Sequence, residues 1–220
     1  MQIPIIKLLD VTMSYENNTI FSNVNLEIQS GEIIAAKGTI GSGKTTLLNL
    51  ICGIMKPDSG RIYIDKYDIT KLSSNKLSEL RAKIFGIVPQ NSNLVPELSI
   101  SQNLELPLMF SGIDKNKRQS IVNKTLDKLG LISLSDRLAG TLSVGESEIV
   151  SIARSMVNDP PILLMDEPTE GLDPIISEMI LSLIRGDSII NQKTVFITTH
   201  DERILNIANR VIHVKENMNL

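Results

Sequence analysis

An α/β fold with an inserted helical segment is what the pattern of apolar residues in this chain predicts. Three observations carry that reading. Short apolar strand patterns dominate the first ninety residues, and from about Leu98 to Val157 the signal changes to helical. Beyond that point strands return in alternation with helical stretches, the layout of an α/β protein carrying a helical subdomain.

The elements follow in order. Apolar residues alternate through Ile20-Phe21-Ser22-Asn23-Val24-Asn25-Leu26-Glu27-Ile28, a half-buried strand. Gly31 turns the chain into the short apolar strand Glu32-Ile33-Ile34-Ala35-Ala36, and a Leu-rich helix is expected from Thr45 to about Ile51. Pro57-Asp58-Ser59-Gly60 is a turn signal before the alternating strand Arg61-Ile62-Tyr63-Ile64, and Ile84 to Val88 reads as another apolar strand. In the helical region Ile121, Leu126 and Leu129 share one face, Asp127 and Lys128 lie on the other, and Gly130 is the stop. Ile162 to Met165 and Val195 to Ile197 read as strands, and Val211 to Val214 as the last one.

Composition narrows the class. At 220 residues, 42% hydrophobic and 21% charged, the chain can build a sizeable core, and disorder is excluded. Aromatics make up 3% with no Trp, which argues against a stacking platform for single-stranded nucleic acid. A net charge of −3 leaves no electrostatic footprint for nucleic acid or an anionic membrane. The lone Cys52 fits a reducing compartment and a small buried hydrophobe. No signal peptide is read at the N-terminus, and no apolar run approaches the roughly 20 residues of a membrane span. If a membrane matters here, another chain is expected to supply the span.

The sharpest local signal is Gly38-Thr39-Ile40-Gly41-Ser42-Gly43-Lys44-Thr45, followed by Thr46, which matches G-x-x-x-x-G-K-[ST] between an apolar strand and a helix. Its glycines let successive backbone N–H groups turn inward toward phosphate oxygens, and the following helix presents its positive end to the same anion. Lys44 would reach the β and γ phosphates, and the Thr45 hydroxyl can ligate Mg²⁺. The second signal is an apolar strand ending in Asp166-Glu167, at the sheet edge where ligands of α/β proteins bind. Asp166 suits a Mg²⁺ shell as a hard oxygen ligand, and Glu167 could orient or deprotonate a water for in-line attack on a γ-phosphate. Together they point to hydrolysis of a nucleoside triphosphate.

At Leu142-Ser143-Val144-Gly145-Glu146 the sequence resembles the signature of ABC-type ATPases. The other landmarks of that family stand in order around it. Gln90 resembles the Q-loop glutamine, Glu170-Gly171-Leu172-Asp173 the D-loop, His200 the switch histidine, and Tyr15 the aromatic that stacks on adenine. Taken singly, a His at a strand end is a polar loop residue, a Tyr near the N-terminus is packing, and a Gln after Pro89 belongs to a turn. Their shared order carries the resemblance, which covers practically the whole chain. His213 matches no motif.

The resemblance implies a P-loop ATPase core with an antiparallel β subdomain in residues 1–90 and 158–220, and a helical subdomain at about 91–157. It implies ATP and Mg²⁺ as ligands, with Gln90 joining Thr45 and Asp166 in the metal shell. Glu167 and His200 would act on the attacking water and γ-phosphate. Ser143, Val144, Gly145 and Glu146 would form a second anion site, with Ser143 beginning a helix. That site would complete the nucleotide pocket of a second ATPase subunit in a head-to-tail dimer.

Asn93 to Leu98 and Asn103 to Leu108 are similar to the branch of lipoprotein-releasing, macrolide-exporting and cell-division ATPases. In that branch the ATPase serves a membrane-spanning permease, which implies a cytoplasmic protein lying against the inner face of the cell membrane. Leu94, Val95, Leu98, Leu106 and Leu108 would suit a groove for the permease, or equally the core of the subdomain. An ATP-dependent regulator of a membrane complex in envelope or division control, without transport, is the alternative. A chromosome-structuring ATPase would need a long coiled coil, yet only about fifty residues without sustained heptads separate Gln90 from Ser143. A translation factor normally carries two such domains and a basic linker, and a small-molecule kinase has no use for the signature.

The sequence also departs from the family pattern. Val144 replaces the first glycine of the signature, Glu146 stands for the common Gln, Ser147-Glu148-Ile149 for a Gln-Gln-Arg run, and Glu170-Gly171 for a Ser-Ala pair. The half-site of chemistry is intact on this reading and the half-site contributed across a dimer is altered. Slow basal hydrolysis is expected, with dimer closure the weaker step.

Overall fold

The computed structural model describes residues 4–16, 18–185 and 193–215. Its strands are β1 (Ile6–Tyr15), β2 (Asn18–Ile28), β3 (Ile33–Lys37), β4 (Ser59–Ile64), β5 (Tyr67–Asp68), β6 (Phe85–Val88), β7 (Ile162–Asp166), β8 (Thr194–Thr198) and β9 (Arg210–His213). Its helices are α1 (Lys44–Ile51), α2 (Ser74–Ile84), α3 (Ile100–Phe110), α4 (Lys115–Lys128), α5 (Val144–Met156), α6 (Pro174–Arg185) and α7 (Glu202–Ile207). The chain divides into two compact units, Met1–Arg81 with Gln192–Leu220, and Ala82–Asn191.

In the first unit an antiparallel sheet runs in the order β2-β1-β4-β5, with β1 paired to β2 and to β4. Alternate residues of β1 are buried, Ile6, Leu8, Val11 and Met13 among them, with a slip where Asp10 takes a positive φ. That slip interrupts the alternation on which a strand is recognised, so β1 was not among the expected strands. The same unit holds a parallel set in which β3 lies between β8 and β9. All five residues of β8 and the centre of β3 are buried, and both read as continuous apolar runs, as parallel strands covered on two faces do. The last strand runs Arg210–His213, one residue earlier than expected.

One expected strand needs correcting. Ile84 closes helix α2, and the strand β6 starts only at Phe85. Helix α2 itself, in the stretch read as strands, buries only Leu77, so its sequence carries almost no apolar stripe.

In the second unit β6 and β7 pair in parallel, from Phe85 opposite Ile162 to Val88 opposite Met165. Helices α3, α4 and α5 enclose a core of Ile100, Leu104, Leu108, Val122, Leu126, Val150, Ala153 and Val157. Burying each large aliphatic side chain there contributes roughly 1.5–3 kcal/mol. Of the expected α4 face, Leu126 is fully buried and Ile121 and Leu129 pack against the same core. Gly130, at φ 69, follows the helix as its stop. Leu108 and Leu94 belong to this core, whereas Val95 is exposed.

Asn103 ties the segment before α3 to the helix. Fully buried, its Oδ1 accepts the Val95 N–H at 2.8 Å, and its Nδ2 lies 3.1, 3.3 and 3.1 Å from the carbonyls of Val95, Leu98 and Ser99. An amide can satisfy an irregular loop in this way because it offers donors and acceptor together.

Candidate functional site

The phosphate loop lies in the first unit, between the end of β3 and the start of α1, as the apolar strand and Leu-rich helix around it predicted. Two glycines are required by space, and Gly43 by conformation as well. A Cβ on Gly43, whose φ is +98, would stand 2.6 Å from Ile20 Cγ2, and one on Gly38 would stand 2.3 Å from the Val214 carbonyl oxygen. Thr39, Ile40, Gly41 and Thr45 are exposed along the loop and at the helix start.

Lys44 is buried, and its ammonium is already set into the loop. Nζ lies 2.9 Å from the Gly38 carbonyl, 3.3 Å from that of Thr39 and 2.9 Å from His200 Nε2. Residues 156 apart in sequence thus meet at one atom. Tyr15 stands beside the same helix, its hydroxyl 3.3 Å from Thr46 Oγ1 and 3.1 Å from Met55 Sδ, with the residue 45% exposed. A cavity of about 540 Å³ borders the loop, and its wall includes Lys37, His200 and His213. The sequence assigned no role to His213, which matches no motif, and did not single out Lys37. Their only signal was position, at the same end of β9 and β3.

The loop fits a phosphate on a structural observation. Ser42 Oγ is buried and has no hydrogen-bond partner among the described residues. An unmet hydroxyl inside a ring of turned backbone is a position that an anionic oxygen satisfies.

In the second unit β7 delivers the two carboxylates. Asp166, 4% exposed, ends the strand, and Glu167 takes a φ of +50, so the neighbours leave the backbone in different directions. Glu167 lines a cavity of about 250 Å³ together with Gln90, Val144, Glu148 and Glu170. Gln90 Nε2 donates to Glu170 Oε2 at 2.8 Å, so the departure from the D-loop pattern grips the glutamine. Glu148 is 7% exposed with Oε1 unpartnered among the described residues, and burial pushes its carboxyl up to about 7 against a smaller opposing effect of Arg154.

The signature begins α5 as expected, with Ser143 as the N-cap. Its polar groups are engaged in a reciprocal capping box. Ser143 Oγ accepts the Glu146 N–H at 3.2 Å, and Glu146 Oε2 accepts the Ser143 N–H at 2.7 Å. The end of the helix read as an anion site therefore holds a carboxylate of its own. Val144 projects into solvent at 74% exposure, and Gly145 faces Ile176, where a Cβ would come within 3.0 Å.

Each by its own chemistry, the Thr45 hydroxyl, the Asp166 carboxylate and the Gln90 amide is a hard-oxygen donor of the type that suits Mg²⁺. Among the described residues no three His, Cys, Asp or Glu side chains gather as a metal site.

A phosphate loop whose lysine is preset among carbonyls, in a chain that also ends a buried strand in Asp-Glu, defines a P-loop ATPase. The sequence profile of the ABC transporter family matches residues 21–170, and the chain belongs to that family. The lipoprotein-releasing system ATP-binding protein LolD of Saccharophagus degradans is 36% identical over 219 residues, covering 98% of this chain and 96% of LolD. The macrolide export ATP-binding/permease protein MacB of Vibrio parahaemolyticus is 33% identical over 216 residues, and the match spans 33% of MacB. Among solved structures, the ATP-binding cassette MJ0796, captured as a post-hydrolysis dimer with ADP and Pi, superposes with a TM-score of 0.88 at 34% identity, covering 96% of this chain and 94% of that one. MJ0796 belongs to Methanocaldococcus jannaschii. The chain is an ATP-binding and ATP-hydrolysing subunit of the ABC transporter class. Among the described residues no helix is long and apolar enough to cross a membrane.

Proposed function

We propose that this ATPase drives an exporter or a mechanical membrane complex of the lipoprotein-releasing and macrolide-exporting kind. It would act from the cytoplasmic face through a separate membrane-spanning permease, closing with a second ATPase subunit when ATP binds. Residues 1–90 and 158–220 would serve as the ATPase core with its β subdomain, and about 91–157 as the helical subdomain. The branch is supported by similarity to LolD along nearly the full length of both chains.

The observation that carries the chemistry is the convergence of Lys44 and His200 at 2.9 Å in the phosphate loop. The backbone N–H groups from Gly38 to Thr46 would hold the phosphates, with the Ser42 hydroxyl meeting one oxygen. The Lys44 ammonium would exchange its carbonyl partners for the β and γ oxygens, and His200 would contact the γ-phosphate and steady the attacking water. Tyr15 would stack on the adenine. Glu167 would take the proton of that water. Thr45, Asp166 and Gln90 would hold Mg²⁺, which when bound neutralises phosphate charge. Glu170, by engaging the Gln90 NH₂ group, leaves the amide oxygen as the donor for the ion. Ser143, Val144, Gly145 and Glu146 would meet the nucleotide held by the second subunit.

Replacing Glu167 by Gln tests this reading. The variant keeps the shape of the side chain but loses the base, so ATP should accumulate a dimer of doubled mass in light scattering, with ADP leaving the monomer. A variant that stays monomeric with ATP at high protein concentration would overturn the ATP-sandwich reading.

A further inference from the structure

Glu146 puts a negative charge at the helix end where the proposed function brings a phosphate. Something must offset that charge, and the second unit supplies it from a loop outside the signature. Arg137 Nη1 donates to Glu146 Oε1 at 2.6 Å, Nη2 to the Thr141 carbonyl at 2.7 Å, and Nε lies 3.2 Å from Thr141 Oγ1. All three guanidinium nitrogens are thereby engaged, which fixes the direction of the fork.

The loop that carries Arg137 is itself pinned. Its carbonyl accepts the Ile100 N–H at 3.0 Å, the Ala139 N–H reaches the Leu98 carbonyl at 2.9 Å, and the Gly140 N–H that of Pro96 at 3.0 Å. Gly140 permits this approach, since a Cβ there would stand 3.1 Å from Pro96. Arg137 therefore reaches the start of α5 from a fixed base. Glu146 in turn has both oxygens used, one on Arg137 and one on the Ser143 N–H. The Ser143 N–H bond, then Arg137, hold its carboxyl below the usual carboxylate range, so it stays ionised in the box.

We propose that Arg137 is a positioning residue for the reaction, which neutralises Glu146 and locks the Ser143 cap so that the start of α5 can accept the γ-phosphate of ATP bound to a second subunit. The inference rests on the reading of Ser143 as a contact to that phosphate. It makes Arg137 and Glu146 a coupled pair: with the arginine gone, the carboxylate repels the incoming phosphate, and with both gone a neutral cap remains. A Gln at 146 keeps the acceptor for the Ser143 N–H without the charge.

The test measures ATP-dependent dimerisation and steady-state ATPase activity of Arg137→Ala, Glu146→Gln, the double variant and Ser143→Ala. All are placed in a Glu167→Gln background for dimerisation and in the natural background for turnover. Loss of a charge-assisted pair of this kind predicts about a tenfold rise in the ATP concentration for half-maximal dimerisation in Arg137→Ala. Binding of a fluorescent ATP analogue to the monomer should be unchanged. Adding Glu146→Gln should restore most of the loss, which a merely structural role for Arg137 would not allow. If Arg137→Ala does not fold, Arg137→Lys, which keeps charge and loses the fork, should show a smaller shift that Glu146→Gln again reverses. An unrescued loss, or no loss in Arg137→Ala while Ser143→Ala is impaired, overturns the proposal. If Ser143→Ala itself dimerises normally, the reading of the signature half-site fails first.

Discussion

Replacing Glu148 by Gln isolates a single buried carboxyl in the second unit. Glu148 stands where the family pattern has a neutral Gln, and its side chain faces a cavity that also holds the carboxylates of Glu167 and Glu170. Arg154 is the cation acting on it, but its guanidinium nitrogens are committed to the carbonyls of Asn93 and Ser92 at 2.8 and 2.7 Å. Burial is the dominant cause and raises the carboxyl from 4.5 to about 7. The sign follows from linkage. The folded state holds the proton more tightly than the unfolded chain, so the contribution is fully present below pH 4.5 and is lost as pH rises through 7. The displacement corresponds to about 3 kcal/mol in all, of which about 2 kcal/mol disappears between about pH 5.5 and 8. Urea unfolding followed by circular dichroism at those two pH values is the assay. Gln cannot ionise, so the stability of the variant relative to the natural chain should improve by about 2 kcal/mol from the lower pH to the higher. Parallel pH profiles for the two proteins would refute the argument, because every other titrating group is shared.

Two further outcomes follow from the geometry. Val144→Gly should raise ATP turnover several-fold, because it removes an exposed side chain beside Ser143 at a cost of less than about 1 kcal/mol at the helix start; unchanged or slower turnover would count against Val144 as the limit on closure. Asn103→Ala should lower unfolding free energy by about 1–3 kcal/mol, since it takes the acceptor from the Val95 N–H, while the Val95, Leu98 and Ser99 carbonyls keep backbone donors. A loss under about 1 kcal/mol in urea unfolding would mean that water or rearrangement satisfies the loop.

How much was legible depended on how local the signal is. The phosphate loop, the buried strand ending in Asp166 and the Ser143 cap could be read from short runs, because glycine spacing, apolar runs and capping residues act over a few residues. Strand β1 was hidden by the slip at Asp10, and α2 by the near absence of an apolar stripe. Gln90 and His200 were identified through family resemblance, since a single Gln or His carries no local pattern. The partners they make, Glu170 for Gln90 and Lys44 for His200, are 80 and 156 residues away. Asn103 looked like part of a branch-specific stretch, and its work as a tie for residues 95 to 99 emerged only from its hydrogen bonds.

The sequence alone determined the class of chemistry, because cradling a phosphate and presenting two carboxylates needs particular residues at fixed short spacings. It also flagged Val144, Glu146, Glu148 and Glu170 as departures, without saying what each does. Tertiary structure decided that. Folding leaves Val144 in solvent, turns Glu146 back onto the Ser143 N–H, buries Glu148 with one oxygen unpartnered among the described residues, and sets Glu170 against Gln90. The effect of a charge depends on its distance to other charges and to water, and those distances are set by segments far apart in the chain.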